Sequence, residues 1–491
     1  MTREDRSRKN AARRDNGQNN AGFGFNITDG IGDTGGVAGN GNGNGNGANN
    51  IVPGTTGRYL VLLKENTVAE GVSLLRESTG LRVTSTQDSA DGVLDEEQLQ
   101  NTDVIVFDQL AVAVVDALPE HINAISGVMG NESSPILAIE PERIVFAFED
   151  NAPGFSTGVG LQVREAEATV PADYLYGYKD AVDHLIEKLL GNGQLSEEYG
   201  SEETASYVES EYTWGLQATK VVSTRYTGRG IKVAVLDTGF DLRHPDFVGR
   251  TVVTKSFIAG EPVEDGHGHG THCIGTACGP KRPTQLPRYG IAYQAEIYAG
   301  KVLNNRGSGT DSGILAGINW AVANKCQVVS MSLGAPVMPG QSHSQIFEQV
   351  ANRALAAGTL IIAAAGNSSR RPGSINPVGH PANCPSIMAV GALDSALRIA
   401  FFSEGGLQPN GGQVDIAGPG VDVRSSWPRP MLYRTISGTS MATPHVAGIA
   451  ALFAESNARA RGRVLAQLVM QHARRLALPA RDVGTGLVQA P

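Results

Sequence analysis

The sequence predicts an α/β protein, a doubly wound parallel sheet with helices on both faces, preceded by a small α+β domain and a Gly/Asn-rich tail. Three observations predict it. Beyond Thr213, β-branched apolar runs alternate with helical stretches through short connections, as parallel strands joined by crossover helices require. Between residues 58 and 150 the order is strand, helix, strand, strand, helix, strand, which is the split βαβ arrangement of a ferredoxin-like domain. Before Arg58, the repeat Gly41-Asn42-Gly43-Asn44-Gly45-Asn46-Gly47 has no apolar surface to bury, so residues 1–57 are expected to be disordered.

Composition narrows the class. A chain of 491 residues holds more than one core, and a net charge of −9 leaves no electrostatic footprint for nucleic acid. No apolar run approaches the ~20 residues of a membrane helix, and residues 1–20 are polar with no signal-peptide core. The expected location is cytoplasmic or non-classically exported. The four cysteines, Cys273, Cys278, Cys326 and Cys384, form no Cys-x-x-Cys pattern and read as buried thiols.

In the small domain, expected at 58–150, the strands are Tyr59-Leu60-Val61-Leu62-Leu63, Leu81-Arg82-Val83-Thr84, Asp103-Val104-Ile105-Val106-Phe107 and Ile144-Val145-Phe146-Ala147-Phe148. The helices fall at 68–76 and 117–125. A linker at 151–212 follows, with an amphipathic helix at 178–190 and an acidic run through Glu197, Glu198, Glu202, Glu203, Glu209 and Glu211.

The main domain, 213–491, opens with the strand Ile231-Lys232-Val233-Ala234-Val235-Leu236, which ends in Asp237-Thr238-Gly239. The glycine-rich stretch Asp265-Gly266-His267-Gly268-His269-Gly270-Thr271-His272-Cys273 then leads into a helix and carries three imidazoles. Next come a strand at 297–302, a helix at 312–323, a strand at 328–332, a helix at 345–356, and the strand Leu360-Ile361-Ile362-Ala363-Ala364-Ala365, broken by Gly366-Asn367. Finally, Gly438-Thr439-Ser440-Met441-Ala442 places a hydroxyl at the entry of a small-residue apolar helix. Taken alone, that window is evenly balanced between an N-cap serine and a nucleophile. A serine nucleophile needs a base, and the base an orienting carboxylate. Asp237 sits at a strand end, where open α/β sheets build sites, and one of the three imidazoles is the base.

Val235-Leu236-Asp237-Thr238-Gly239, His269-Gly270-Thr271-His272 and Gly438-Thr439-Ser440-Met441-Ala442 together resemble the three motifs of the subtilisin-like serine protease family, in that family's order of Asp, His, Ser. The resemblance implies a serine endopeptidase in which Ser440 attacks the scissile carbonyl, His269 moves the proton and Asp237 holds the imidazole. It makes His272 structural and Asn367 an oxyanion donor beside the Ser440 amide. Gly307, Ser308 and Gly309, with Ser332, Leu333 and Gly334, become the two edge strands that pair with an extended peptide. Ala364, Ala365, Gly366 and Gly379 become the walls and base of the first-residue pocket, roomy enough for a large apolar or aromatic side chain. Asp311 falls at the rim of the fourth-residue pocket, where it favours a basic group. Cys273 resembles the proteinase K-like branch, whose thiol lies close to the catalytic histidine.

No cofactor is implied for the chemistry. Asp246 matches a calcium ligand of many relatives, but Gly279-Pro280-Lys281-Arg282-Pro283-Thr284-Gln285 brings two cations and no Asn or Asp, which argues against the tight site. The small domain resembles an inhibitory prodomain, so the partners are polypeptide substrates and the chain's own N-terminal domain as intramolecular inhibitor, in a monomer. Thr213-Trp214-Gly215-Leu216-Gln217 looks like the first segment of a mature enzyme, which puts self-cleavage within residues 201–212.

The same residues also bear on other chemistries. His267, His269 and His272 have the spacing of a zinc loop without its aspartate. Asp-Thr-Gly also begins at Asp33, but in low-complexity sequence. A Gly-x-Ser-x-Gly elbow at Ser440 would need an acid and then a histidine downstream, whereas His472 precedes Asp482. A peptide ligase or macrocyclase on the same fold would use the same triad with an amine as acceptor.

Overall fold

The computed structural model describes residues 54–89, 102–116, 119–129, 133–148, 207–408 and 411–491. The tail up to residue 53, the expected 178–190 helix and the acidic run as far as Glu203 lie outside the described residues.

The small domain contains β1 (Thr55–Leu63), α1 (Val68–Thr79), β2 (Val83–Ser85), β3 (Val104–Phe107), β4 (Val112–Val115), α2 (Pro119–Met129) and β5 (Ile136–Ala147). Its strands lie in the order β5-β1-β4-β3-β2, antiparallel except for β2 on β3. The split βαβ order holds, with different strands in the middle. Val104 pairs with Val115 and Phe107 with Val112, so the central hairpin is β3–β4, while the expected strand at 81–84 is a short edge piece. The sequence reading missed Val112-Ala113-Val114-Val115 because it follows Phe107 after one tight turn, where a single apolar run and a hairpin look alike. β5 is also longer than expected, because Glu140-Pro141-Glu142 interrupts its alternation.

Period-2 alternation sends this sheet's side chains to two covers. Val61, Leu63, Val104, Val106 and Val115 pack with Leu75, Ile122 and Ile125 of α1 and α2. Leu60, Leu62, Ile105, Phe107, Val112 and Val114 instead join the core of the main domain. Burying six such side chains is worth on the order of 10 kcal/mol, comparable with a domain's entire net stability. The small sheet therefore depends on the larger domain for much of its stability.

The main sheet is parallel throughout: β6 (Lys232–Asp237), β7 (Val252–Ser256), β8 (Glu296–Lys301), β10 (Val328–Met331), β12 (Leu360–Ala364), β13 (Met388–Leu393) and β14 (Ile416–Pro419), in the order β14-β13-β12-β10-β6-β8-β7. Ala234, Leu236, Ile361 and Ala363 face one layer with Ile314, Ile318 and Phe347 from α4 (Asp311–Ala323) and α5 (Gln345–Ala356). Val233, Val235, Leu360 and Ile362 face the other with Ile274, Val446 and Ile449 from α3 (His269–Cys278) and α6 (Thr439–Ser456). Two-sided cover explains why these strands read as continuous apolar runs. Between β8 and α4 lies β9 (Ser308–Thr310), and after β10 lies β11 (Leu333–Gly334). An antiparallel hairpin, β15 (Val423–Ser426) with β16 (Tyr433–Ile436), precedes α6.

Carboxylates join the two domains. Glu142, fully buried, accepts from Ser312 N at the start of α4 (2.9 Å) and from Arg58 Nε (2.6 Å). Glu140 accepts from Gln345 N at the start of α5 (2.8 Å). Both satisfy orphan amides at the positive ends of helices. At the other boundary, Tyr207 stacks on Trp214 with ring centroids 6.1 Å apart, so the main domain's packing begins before Thr213.

Candidate active site

Asp237 closes β6, with β8 and β7 on one side of that strand and β10, β12, β13 and β14 on the other. The chain reverses its course through the sheet here, which opens a crevice at the strands' carboxyl ends. Asp265 organises the approach of α3. Its Oδ1 accepts from Thr238 Oγ1 (2.9 Å) and from the amides of His267 (3.0 Å) and Gly268 (2.8 Å), and its Oδ2 from Thr271 N (2.8 Å) and Oγ1 (2.7 Å). Gly268 caps α3 at φ +112°, and a Cβ there would stand 2.3 Å from the Trp427 ring. That turn admits only glycine. It sets His269 Nδ1 2.8 Å from Asp237 Oδ1, with both residues buried.

Burial works against a charged His269, but the Asp237 carboxylate and the hydrogen bond to it outweigh burial and hold its pKa well above the usual histidine value. A histidine must be unprotonated to serve as a general base, so for His269 in that role kcat/KM is expected to fall as pH drops through this raised value. A profile with its acid limb at or below the ordinary histidine pKa would contradict that sign. His272, by contrast, is pushed down to about 3, first by burial, and its Nε2 meets the carbonyls of Val423 (3.0 Å) and Arg434 (3.2 Å). It is a neutral strut between α3 and the β15–β16 hairpin.

Ser440 lies in the first turn of α6 and is fully buried. Its Oγ donates to Ser332 O (3.1 Å), and Ser332 Oγ donates back to Ser440 O (2.8 Å). His269 Nε2 has no hydrogen-bond partner among the described residues, so the hydroxyl is parked on Ser332 and not on the imidazole. Asn367 is held by a residue the sequence reading gave no role. Its Oδ1 accepts from Thr439 N (2.9 Å) and Oγ1 (2.8 Å), which turns Nδ2 toward the carbonyl of Phe148 at 3.1 Å.

Phe148 ends a strand that fills the cleft. β5 runs antiparallel between β9 and β11: Val145 pairs with Gly309, Phe146 with Ser308 and with Gly334, and Ala147 with Leu333. Ala147 N donates to Gly307 O at 2.8 Å. A Cβ on Gly334 would stand 2.7 Å from Phe148 Cζ, so the ring lies against this glycine. Gly307, Ser308, Gly309, Leu333 and Gly334 thus meet one extended segment. Ala365 O accepts from Gly379 N (2.8 Å), bringing the strip Ala364, Ala365 and Gly366 against Gly379.

The structure bears on three further expectations. Asp311 does not face the fourth residue of that segment, Val145, which is apolar and buried. It is buried against His380 Nε2 (2.9 Å), and its other oxygen accepts from Arg143 N (3.0 Å) and pairs with Arg143 Nη1 (3.5 Å), so the basic group it meets lies two residues further back. Second, the described part of the expected processing window leads directly into the main domain: Arg288 N donates to Glu211 O (2.8 Å), and Thr213 N donates to Arg288 O (3.0 Å).

The third concerns calcium, for which Asp246 does not fit. Its carboxylate already accepts from Thr284 N (2.6 Å), Thr284 Oγ1 (2.5 Å), Tyr289 OH (2.6 Å) and Tyr433 OH (2.9 Å). Burial first, and then Asp246 itself, raise both tyrosines, so they remain donors. These O–H groups occupy the lone pairs a hard cation would need. Asp246→Asn is expected to cost about 2–4 kcal/mol, by the same amount with and without EDTA. A wild type that EDTA reduces to the stability of the variant would contradict this.

Nor do the imidazoles of His267, His269 and His272 converge. Among the described residues, the group whose donor atoms lie within 4.8 Å of one another is Asp237, His269 and Cys273. All four cysteines are buried and unbridged. Cys273 Sγ lies 3.9 Å from His269 Nδ1, and its thiol is pushed up to about 11, first by burial. Mercuric ion binds thiols strongly enough to displace that proton. It is expected to abolish activity in wild type and spare Cys273→Ala; equal inhibition of the two would place the reactive thiol elsewhere.

A family model described as the subtilase family matches residues 228–486, just over half of the chain. The chain belongs to the subtilase family. This subtilase is 42% identical over 238 residues to subtilisin DY of Bacillus licheniformis, covering 48% of the chain and 81% of that relative. It is 44% identical over 248 residues to subtilisin Savinase of Lederbergia lenta, covering 50% and 84%. Against subtilisin E of Bacillus subtilis (strain 168) the figures are 40% over 256 residues, with 51% of the chain and 63% of the relative covered. The subtilase is a serine-type endopeptidase. Polypeptides are its substrates, and among the described residues no helix is long and apolar enough to cross a membrane.

Proposed function

We propose that the subtilase cuts peptide bonds with Asp237, His269 and Ser440 as its triad, and that residues up to Phe148 form an intramolecular inhibitor removed by cleavage of the Phe148–Glu149 bond. One observation carries this reading. The Phe148 carbonyl accepts from Asn367 Nδ2 at 3.1 Å at the end of a strand paired on both sides. A substrate's scissile carbonyl needs that position, since an oxyanion forming there meets a donor already oriented by Thr439.

In this mechanism Ser440 Oγ swings from the Ser332 carbonyl to His269 Nε2 and attacks the carbonyl carbon as its proton passes to Nε2. Asp237 keeps Nδ1 protonated and stabilises the imidazolium. The oxyanion is held by Asn367 Nδ2 and the Ser440 amide. Collapse breaks the C–N bond, and the Nε2 proton leaves with the amine. Water then hydrolyses the acyl-enzyme by the same route. With Phe148 as the residue before the scissile bond, the first cut lies upstream of the 201–212 window, and the β5 strand left in the cleft acts as the inhibitor. A fluorophosphonate probe tests the nucleophile: Ser440 should be labelled in processed wild type, and an active preparation labelled at another residue would overturn the assignment.

A further inference from the structure

Glu404 is a buried carboxylic acid that the chemistry above does not use. It is only 2% exposed. Its Oε1 accepts from Ser368 N (3.2 Å) and from Ser368 Oγ, whereas Oε2 has no hydrogen-bond partner among the described residues. Oε2 points at two glycines. A Cβ on Gly366, where φ is +122°, would lie 2.0 Å from it, and a Cβ on Gly379 would lie 3.4 Å from it. Both glycines border the place where Phe148 sits. Gly366 precedes Asn367, which holds the Phe148 carbonyl, and the Cβ position of Gly379 is 2.9 Å from the carbonyl of Ala335, next to the Gly334 that touches the Phe148 ring. The Gly379 amide is the donor nearest to Oε2, without a well-formed hydrogen bond to it, and a buried carboxylate oxygen so weakly met has capacity for a further donor.

We propose that Glu404 is a specificity-determining residue at the floor of the pocket for the residue before the scissile bond, favouring a long side chain tipped with a hydrogen-bond donor, lysine above all. This rests on the peptidase reading and on Phe148 marking that pocket. The walls contributed by Ala364, Ala365, Gly366 and Gly334 accept the aliphatic or aromatic stem, as Phe148 does, and Glu404 Oε2 accepts from the tip. Burial raises the acid to about 7, against the Ser368 donors and the nearby Gly379 amide, so it is neutral in mild acid and ionised in mild base. The cations nearest in sequence and space are engaged elsewhere. Arg370 Nη1 donates to the carbonyls of Asn367 and Ser369, and Arg371 to Ser403 O and Asp482. His380, which follows Gly379, is paired with Asp311.

The test compares fluorogenic peptides identical except for lysine or methionine before the cut, so that the titration of His269 cancels in the ratio of their kcat/KM values. In wild type prepared from the full chain, the lysine-to-methionine ratio is expected to rise about tenfold or more between about pH 6 and about pH 8.5. In Glu404→Gln and Glu404→Val the ratio should be low and flat with pH. A ratio that is flat in wild type overturns the proposal, even if neither variant folds, and so does a pH-dependent ratio that persists in either variant. Wild type that cuts neither peptide nor a phenylalanine control sinks the peptidase reading itself, which is a different result.

Discussion

Ser440→Ala is expected to lower kcat by on the order of 10⁶-fold, the loss measured when the nucleophile is removed from a subtilisin. In the proposed mechanism the size follows from the arrangement of the groups, because without the hydroxyl neither the Asp237–His269 pair nor the oxyanion donors have a covalent step to act on. Asn367→Ala removes one donor from a site that otherwise stays assembled. It should lose about 10²–10³-fold, again the range known for the corresponding asparagine of a subtilisin. Steady-state rates on one fluorogenic peptide, normalised to protein of verified fold, check both. Ser440→Ala that retains activity within tenfold of wild type would reduce the Ser440 hydroxyl to its hydrogen bond with Ser332 O, whose loss costs only stability, about 1 kcal/mol.

Phe148→Asp is expected to slow the chain's own cleavage by about 100-fold or more. An ionised carboxylate gains nothing from a pocket walled by Ala364, Ala365 and Gly334, and Glu404 nearby makes it worse; a few kcal/mol of unpaired burial is enough for that factor. Time courses of chain length and N-terminal sequencing of the product read the result. Wild type should give a product beginning at Glu149, and Ser440→Ala should remain a 491-residue chain. A wild-type product that begins within 201–212, while the Phe148–Glu149 bond survives, would instead restore the site expected from the sequence.

The candidate triad was legible before the fold because it rests on short strings at the ends of predicted elements. Asp237-Thr238-Gly239 ends a strand, His269 starts a helix after glycine, and Ser440 enters a small-residue helix; local propensity determines each. The residues that hold these groups in place were less visible. Thr439 orients Asn367 from across 72 positions, and Asp265 joins Thr238 Oγ1, 27 positions back, to its own local turn at the start of α3. A threonine or an aspartate with such duties looks like any other in sequence, because the partners are supplied by tertiary contact. The 144–148 run was readable as a strand, but its place between β9 and β11 was not.

By itself the sequence determined the alternation of strands and helices, the candidate triad and the doubt about calcium, since periodicity, motif order and two cations in one loop are local facts. Tertiary structure decided the rest. It moved the central hairpin of the small domain to β3–β4, and it filled Asp246 with Thr284, Tyr289 and Tyr433, which lie up to 187 positions away. It also put Phe148, rather than a residue of the acidic linker, against Asn367. The physical reason is the same each time. A backbone strand can pair with any exposed edge, and a carboxylate can accept from any donor within reach; which edge and which donor are properties of the packed chain.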